Sequence, residues 1–139
     1  MKIKIKRLDD AFHLAASNED GCTIETDGAP EIGGNNKGMR PMQLLLAAAG
    51  SCSTIDIILI LKKQKQDLKD IEIEVTAERE KDKVPSLFTD IHLHYKFYGE
   101  VAAAKAERAV SLSLEKYCSV TKILELSAKV TSSYEIIKQ

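Results

Sequence analysis

The sequence contains no tryptophan, and its four tyrosines and three phenylalanines make up only 5% of the chain. Proteins that bind single-stranded nucleic acid commonly stack bases on aromatic side chains and contact phosphates through clustered lysine and arginine. Here the basic residues are dispersed and the formal net charge is −1. The composition therefore argues against a nucleic-acid partner. A hydrophobic content of 44% with 29% charged residues is typical of a soluble globular protein.

Cysteine is also scarce, with only Cys22, Cys52 and Cys118 and no CxxC pair. The absence of CxxC excludes a thioredoxin-like redox motif and a zinc ribbon. An odd number of cysteines does not suit the disulfide framework of a secreted protein. The opening residues MKIKIKRLDD alternate charged and apolar side chains and do not build the apolar region of a signal peptide. We therefore expect a cytoplasmic protein whose thiols are reduced.

Lysine and arginine are absent from one long apolar stretch, PMQLLLAAAGSCSTIDIILIL, at residues 41–61. Pro41 suits the first turn of a helix, and the Lys62-Lys63 pair suits its end. The apolar residues surround the predicted helix, which is typical of a segment buried on all sides. The length would allow a membrane span, but an ionised Asp56 inside the bilayer is costly. The pattern favours the central helix of a soluble core and no membrane partner.

Alternating and helical patterns predict the other elements. Strands are predicted at residues 2–8, 12–16, 22–26, 71–79, 87–98 and 129–137, and helices at 101–116 and 119–128, with an irregular loop at 27–40. The order is β-β-β-α-β-β-α-α-β, which predicts a single α+β domain over residues 1–139, with an antiparallel sheet packed on the long buried helix. One sheet of this size cannot cover a helix that is apolar all round, so we expect a dimer.

The cysteines differ in their predicted surroundings. Cys52 lies in the middle of the apolar helix, where a free cysteine is commonly a small buried hydrophobe, and Asp56 on the same face would oppose thiolate formation. Cys118 lies at the predicted start of a helix with Lys116 and Lys122 nearby, and such surroundings stabilise a thiolate. On local grounds Cys118 is therefore the better candidate for a reactive thiol. Cys22 lies in a predicted strand and is interpreted as structural.

Strand parity draws attention to Arg79. It continues the inner-face series of Ile71, Ile73, Val75 and Ala77. A buried arginine needs a partner, and Asp56 or a cysteine thiolate would supply one. The alternative is that the strand ends or bulges before Arg79 and leaves its guanidinium in solvent. Arg7 has the same parity as Ile3 and Ile5 and invites the same argument.

His92 and His94 are spaced so that both rings project from one face of a strand, as some metal sites require. That face is the outer one, and no third cysteine or histidine has an evident place beside them. Since the glycines also form no phosphate-binding loop, we expect no metal and no cofactor.

Two segments carry a resemblance to a known family: RPMQLLLAAAGSCSTIDIILILKKQ and, further on, SLEKYCSVTKIL. In their cysteine placement, their Ala/Gly run and the proline that opens the helix, they resemble the OsmC/Ohr proteins of osmotic stress and organic hydroperoxide resistance, in particular the shorter OsmC-like branch. The resemblance covers nearly the whole chain.

The resemblance implies an intertwined homodimer with sites at the subunit interface and a thiol peroxidase acting on organic hydroperoxides. It gives Cys52 the attacking role and Cys118 the resolving role, with an external dithiol as reductant. One feature departs from the family pattern, because Arg40-Pro41-Met42 lacks the glutamate that orients the activating arginine, and Arg7 is only a loose match for that arginine. Strand parity, and not the resemblance, suggests Arg79 with Asp56 as a substitute. The alternative function is a non-enzymatic ligand-binding or scaffold dimer with an inert Cys52.

Overall fold

The computed structural model describes all residues, 1–139, and the chain divides into two compact units, residues 1–45 and 46–139. The observed order of strands and helices is the predicted one, and the α+β class is confirmed. The helices and strands fall at β1 Lys4–Arg7, β2 Leu14–Ser17, β3 Thr23–Thr26, α1 Pro41–Lys63, β4 Asp67–Arg79, β5 Phe88–Glu100, α2 Ala103–Leu112, α3 Ser119–Leu124 and β6 Lys129–Ile137.

The first unit contains a three-stranded antiparallel sheet in the order β1-β2-β3. Two polar side chains close its turns. Asp9 Oδ1 accepts from the backbone N–H groups of Ala11 and His13 in the first turn. Asn18 Oδ1 accepts from those of Asp20 and Cys22 in the second. Such side-chain to backbone bonds are the reason that Asp and Asn favour turns.

A buried carboxylate organises the loop that follows β3. Asp27 accepts from the backbone N–H groups of Gly28, Asn35 and Lys37, the last at 3.0 Å. These bonds, first of all that from Lys37, hold the pKa of the Asp27 carboxyl below its usual value against the opposing effect of burial. Gly34 is required here because a Cβ at this position would lie 1.9 Å from the Gly28 carbonyl oxygen. The segment predicted as an irregular loop therefore has a defined fold of its own.

Helix α1 is buried along one face only. A stripe spaced mostly by four residues is fully or nearly fully buried, consisting of Ala49, Gly50, Ser53, Ile57 and Leu61. Ile55, Ile58 and Leu59 on the other side are 60%, 40% and 53% exposed. The expectation of burial on all sides is therefore wrong for one chain, because the chain covers only one face of the helix. By length and composition alone α1 could cross a membrane, a test that core helices of soluble proteins also pass.

The second unit contains a three-stranded sheet in the order β4-β5-β6. Strands β4 and β5 form the predicted long antiparallel hairpin. Strand β6 pairs with β5 in parallel, so the expectation of an antiparallel sheet is wrong for this pair. The physical reason is the helical crossover through α2 and α3, which brings the chain back to the end of the sheet where β5 began.

Side chains alternate between the faces of this sheet as predicted, apart from two register irregularities, one near each end of the β4–β5 hairpin. In β5 the buried series includes Ile91, Leu93, Tyr95 and Phe97, which form the centre of the core. Near the turn, Glu78 pairs with Asp90 while Arg79 pairs with Phe88, so that Thr89 is an extra, bulged residue. Because one inserted residue reverses the facing of those beyond it, Phe88 is buried and Leu87 is exposed.

The segment predicted as one helix over 101–116 is divided. Helix α2 covers Ala103–Leu112, and a π-helical turn covers Ser113–Tyr117. Cys118 then has extended backbone angles and begins α3 as its N-cap. The predicted break at residues 117–118 is confirmed.

Candidate active site

Three side chains of the second unit converge. The Sγ atoms of Cys52 and Cys118 and a carboxylate oxygen of Asp56 all lie within 4.8 Å of one another. Cys52 and Asp56 are neighbours because a spacing of four residues places them on one face of α1. Cys118 comes from the junction between the π-helical turn and α3. The structure thus brings together three of the five residues selected from the sequence.

The two thiols differ in accessibility. Cys52 is partly exposed, whereas Cys118 is completely buried. Burial raises the pKa of the Cys118 thiol, and this effect outweighs the hydrogen bonds from Thr121, whose backbone N–H donates to Cys118 Sγ at 3.5 Å. At neutral pH Cys118 is therefore a protonated thiol, and Cys52 is the thiol that a reagent in solution reaches.

The structure does not support the prediction that Cys118 is the more activated thiol. Cys118 does lie at the start of a helix, but the positive surroundings that were expected there are not observed. The Lys116 ammonium lies over the Tyr117 ring, 5.3 Å from its centroid, and Lys122 pairs with Glu125 at 2.9 Å. Both lysine charges are directed elsewhere, so desolvation dominates.

Ser113 connects the elements of the site, although no pattern in the sequence singled it out. Its buried hydroxyl lies 3.0 Å from Asp56 Oδ2 and 3.3 Å from the carbonyl oxygen of Ser53, and donates toward both acceptors. Its own carbonyl oxygen accepts from the Cys118 N–H at 2.7 Å. Ser113 begins the π-helical turn, and such turns are frequent at functional sites. One residue therefore connects the carboxylate on α1 with the backbone of the second thiol.

A second buried link joins the sheet to α1 beside Cys52. The Tyr95 hydroxyl donates to Ser53 Oγ at 2.8 Å, and Ser53 Oγ donates to the Gly50 carbonyl oxygen at 3.1 Å. Burial raises the pKa of Tyr95 to about 12, so its hydroxyl remains a donor throughout the neutral range. The sequence placed Tyr95 on the inner face, but its partner on the helix was not predictable from alternation.

The two arginines selected by parity are engaged elsewhere in this chain. Arg79 is exposed, and its guanidinium donates twice to the Ser86 carbonyl oxygen, with the Nη2 bond at 2.9 Å. The predicted approach of Arg79 to Asp56 or Cys52 is not realised within the chain, because Arg79 is the last residue of β4 and its guanidinium is bonded to the turn that follows. In the first unit, Arg7 donates to the carbonyl oxygens of Asp10 and Ala11.

The histidine pair lies on the outer face of the second sheet, as predicted. Both ring nitrogens of His92 are hydrogen-bonded, to Thr131 and Ser133 at 2.7 and 2.8 Å. Those of His94 meet Ser133 at 2.7 Å and Glu135 at 3.3 Å. The four ring nitrogens are therefore occupied by side chains of β6. Cys22, in the first unit, is exposed.

Comparison with known proteins identifies the family. A family model described as OsmC-like protein matches residues 34–133. The chain belongs to the OsmC-like family. This OsmC-like chain is 40% identical over 138 residues to Protein YhfA of Escherichia coli K12, an alignment that covers 99% of the chain and 98% of its relative.

Solved structures agree with this assignment. A hypothetical protein from Aquifex aeolicus VF5 is 33% identical, with a TM-score of 0.85, over 99% of this chain and 96% of the other. The organic hydroperoxide resistance protein OhrB of Bacillus subtilis is 21% identical, with a TM-score of 0.69, over 97% and 98% of the two chains. At that identity the second likeness demonstrates a shared fold.

Proposed function

We propose that this protein is a thiol peroxidase that reduces organic hydroperoxides in defence against oxidative stress. The observation that carries the proposal is the convergence of Cys52 and Cys118 with Asp56 within 4.8 Å. Support also comes from the family, which includes proteins named for organic hydroperoxide resistance, such as the Bacillus subtilis relative. The partial exposure of Cys52 and the burial of Cys118 match an attacking and a resolving thiol.

In the proposed reaction, the Cys52 thiolate attacks the terminal oxygen of the hydroperoxide. The O–O bond breaks, the alkoxide leaves and takes a proton to become an alcohol, and Cys52 becomes a sulfenic acid. Cys118 sulfur then attacks the Cys52 sulfur. The thiol proton and the departing hydroxide form water, and a Cys52–Cys118 disulfide remains. An external dithiol returns both thiols by exchange, so no metal, flavin or nicotinamide takes part.

The apolar residues exposed on α1 support two further parts of the proposal. Leu45, Ile55 and Leu59 would give an alkyl hydroperoxide a more favourable environment than hydrogen peroxide. Ile55, Ile58 and Leu59 also give a second chain an apolar surface to cover, and we propose a homodimer, located in the cytoplasm. We also propose that residues 1–139 form a single domain, of which the family model matches residues 34–133.

A second candidate function is favoured by one observation. No arginine donates a hydrogen bond to Cys52 or Asp56 within the chain, and Met42 occupies the position where related peroxidases are expected to have a glutamate. A chain without an activating cation would be a non-enzymatic ligand-binding or scaffold dimer with an inert Cys52.

The test is treatment of the reduced protein with one equivalent of cumene hydroperoxide, followed by peptide mass spectrometry without reduction. We expect one intramolecular Cys52–Cys118 disulfide and an unmodified Cys22. Cys118→Ser should accumulate a sulfenic acid at Cys52 and then over-oxidise, whereas Cys52→Ser should leave Cys118 largely unreacted. If neither thiol reacts faster than free cysteine, the non-enzymatic function is the correct one.

A further inference from the structure

Cys52, Asp56 and Cys118 also form a set of metal-ligand side chains, a role that the peroxidase proposal does not include. Two thiolates and a carboxylate are ligands that Zn²⁺ accepts, and three protein ligands with a fourth position open to water are typical of accessible zinc sites. In such a site the Zn–S distance is about 2.3 Å, which places tetrahedral sulfur ligands roughly 3.8 Å apart. The atoms here lie within 4.8 Å of one another. Side-chain movements of about 1 Å would complete the geometry.

The three side chains are also surrounded by hydrogen-bond donors of the kind that orient metal ligands. Metal ligands are commonly oriented by a second set of hydrogen bonds, and losing one of them weakens affinity about 10- to 100-fold. Ser113 Oγ holds Asp56 Oδ2 at 3.0 Å, while no protein group donates to Asp56 Oδ1. The Thr121 N–H donates to Cys118 Sγ. One carboxylate oxygen therefore remains available, and the Cys118 sulfur is already oriented by a backbone donor.

We propose that the reduced protein binds one thiophilic divalent cation per chain, zinc being the physiological candidate, through Cys52 Sγ, Asp56 Oδ1 and Cys118 Sγ. Cys52 provides the route of entry because it is partly exposed, while Cys118 is enclosed. The outer-face histidines take no part, since their ring nitrogens are occupied by Thr131, Ser133 and Glu135.

Zinc at this position would regulate the thiols. A sulfur that is bound to zinc is a weaker nucleophile than a free thiolate, and the ion also prevents the two sulfurs from forming a disulfide. The zinc-loaded protein would therefore be a protected, inactive form. This consequence rests on the proposed peroxidase function, whereas binding itself is measured without any peroxide.

The experiment is an anaerobic titration of the reduced full-length protein with Co²⁺, followed by displacement with Zn²⁺. We expect one equivalent per chain and a thiolate-to-cobalt charge-transfer band in the near ultraviolet that zinc abolishes. Cys52→Ser, Cys118→Ser and Asp56→Asn should each weaken binding at least about 10-fold, and Ser113→Ala about 10- to 100-fold. Cys22→Ser is the matched control and should leave both band and affinity unchanged.

A second measurement avoids variants altogether, since a substitution of the buried Cys118 can perturb the fold. Zinc should slow alkylation of Cys52 by iodoacetamide in the wild-type chain and leave the rate at Cys22 unchanged. The proposal is overturned if no charge-transfer band appears, if Cys22→Ser removes the binding, or if zinc protects no thiol. Absence of peroxidase activity in the metal-free protein would instead contradict the proposed function alone, because cation binding is measured without any peroxide.

Discussion

At the scale of single residues, Tyr95 and Tyr98 form a natural pair for comparison. Both lie on β5 and both hydroxyls donate, but Tyr95 donates to Ser53 in the core while Tyr98 donates to Glu72 at the surface. A buried acceptor that loses its donor cannot recover it from water. The difference between the two sites is therefore one of solvent access.

We predict that Tyr95→Phe lowers the free energy of unfolding by about 1 kcal/mol, because Ser53 Oγ loses its donor in the core. Equilibrium unfolding in urea measures this change, and Tyr98→Phe is the control and should have little effect. Equal effects of the two substitutions would show that the buried hydrogen bond contributes no more to the free energy of unfolding than the exposed one.

The Asp27 carboxylate predicts that the free energy of unfolding decreases at acidic pH. Its folded pKa is lowered, first by the Lys37 N–H. Its contribution to stability is therefore fully present above the ordinary aspartate pKa of about 3.9 and is lost as the pH falls through the lower folded value. Asp27→Asn should destabilise the protein at neutral pH and show a shallower loss of stability on acidification.

The measurement for Asp27 is urea unfolding at a series of pH values from neutral to acidic. Asp20→Asn is the control, because the Asp20 carboxylate lies in the same sheet unit and accepts no hydrogen bond in the structure. If both variants follow the wild-type pH dependence, the loop does not depend on the Asp27 carboxylate.

At the scale of elements, Gly50 sets the approach of α1 to β4. A Cβ at this position would lie 3.2 Å from Val75 Cγ2, and the buried stripe of α1 leaves no alternative face. Adding side-chain volume at a packed interface commonly costs about 1–3 kcal/mol. The glycine is therefore retained for packing, despite its poor helix propensity.

We predict that Gly50→Val destabilises the protein by about 1–3 kcal/mol, and that Val75→Ala in the same chain restores part of the loss by making room. Ser51→Val places the same side chain at an exposed position of α1 and should have a much smaller effect. Thermal or urea unfolding of these three variants and the wild type measures the differences. A loss of equal size in Ser51→Val would attribute the effect to helix propensity and not to packing.

At the scale of the whole molecule, the exposed side of α1 predicts association. Sedimentation at micromolar concentration should give about twice the monomer mass of 15.4 kDa. Ile55→Glu should shift the protein toward the monomer, since a charge would be buried in an apolar interface. Ile123→Glu is the control, on an exposed position of α3. A compact 15.4 kDa species in the wild type would contradict the dimer.

The sequence by itself determined the element order, the α+β class and the two cysteine-bearing segments. Hydrophobic periodicity is a local property, so α1, the long hairpin and the break before Cys118 were all readable from neighbouring residues. The resemblance in those segments also gave the family, which the match over residues 34–133 confirms.

Only the tertiary structure decided the geometry of the site. The parallel pairing of β6, the bonds from Arg79 to the Ser86 carbonyl oxygen and the role of Ser113 all depend on contacts that local sequence patterns do not encode. The same holds for Cys118, whose helix start favoured a lowered thiol pKa, whereas its complete burial raises that pKa. Local pattern fixes which way a side chain points, but solvent access and partners depend on what packs against it.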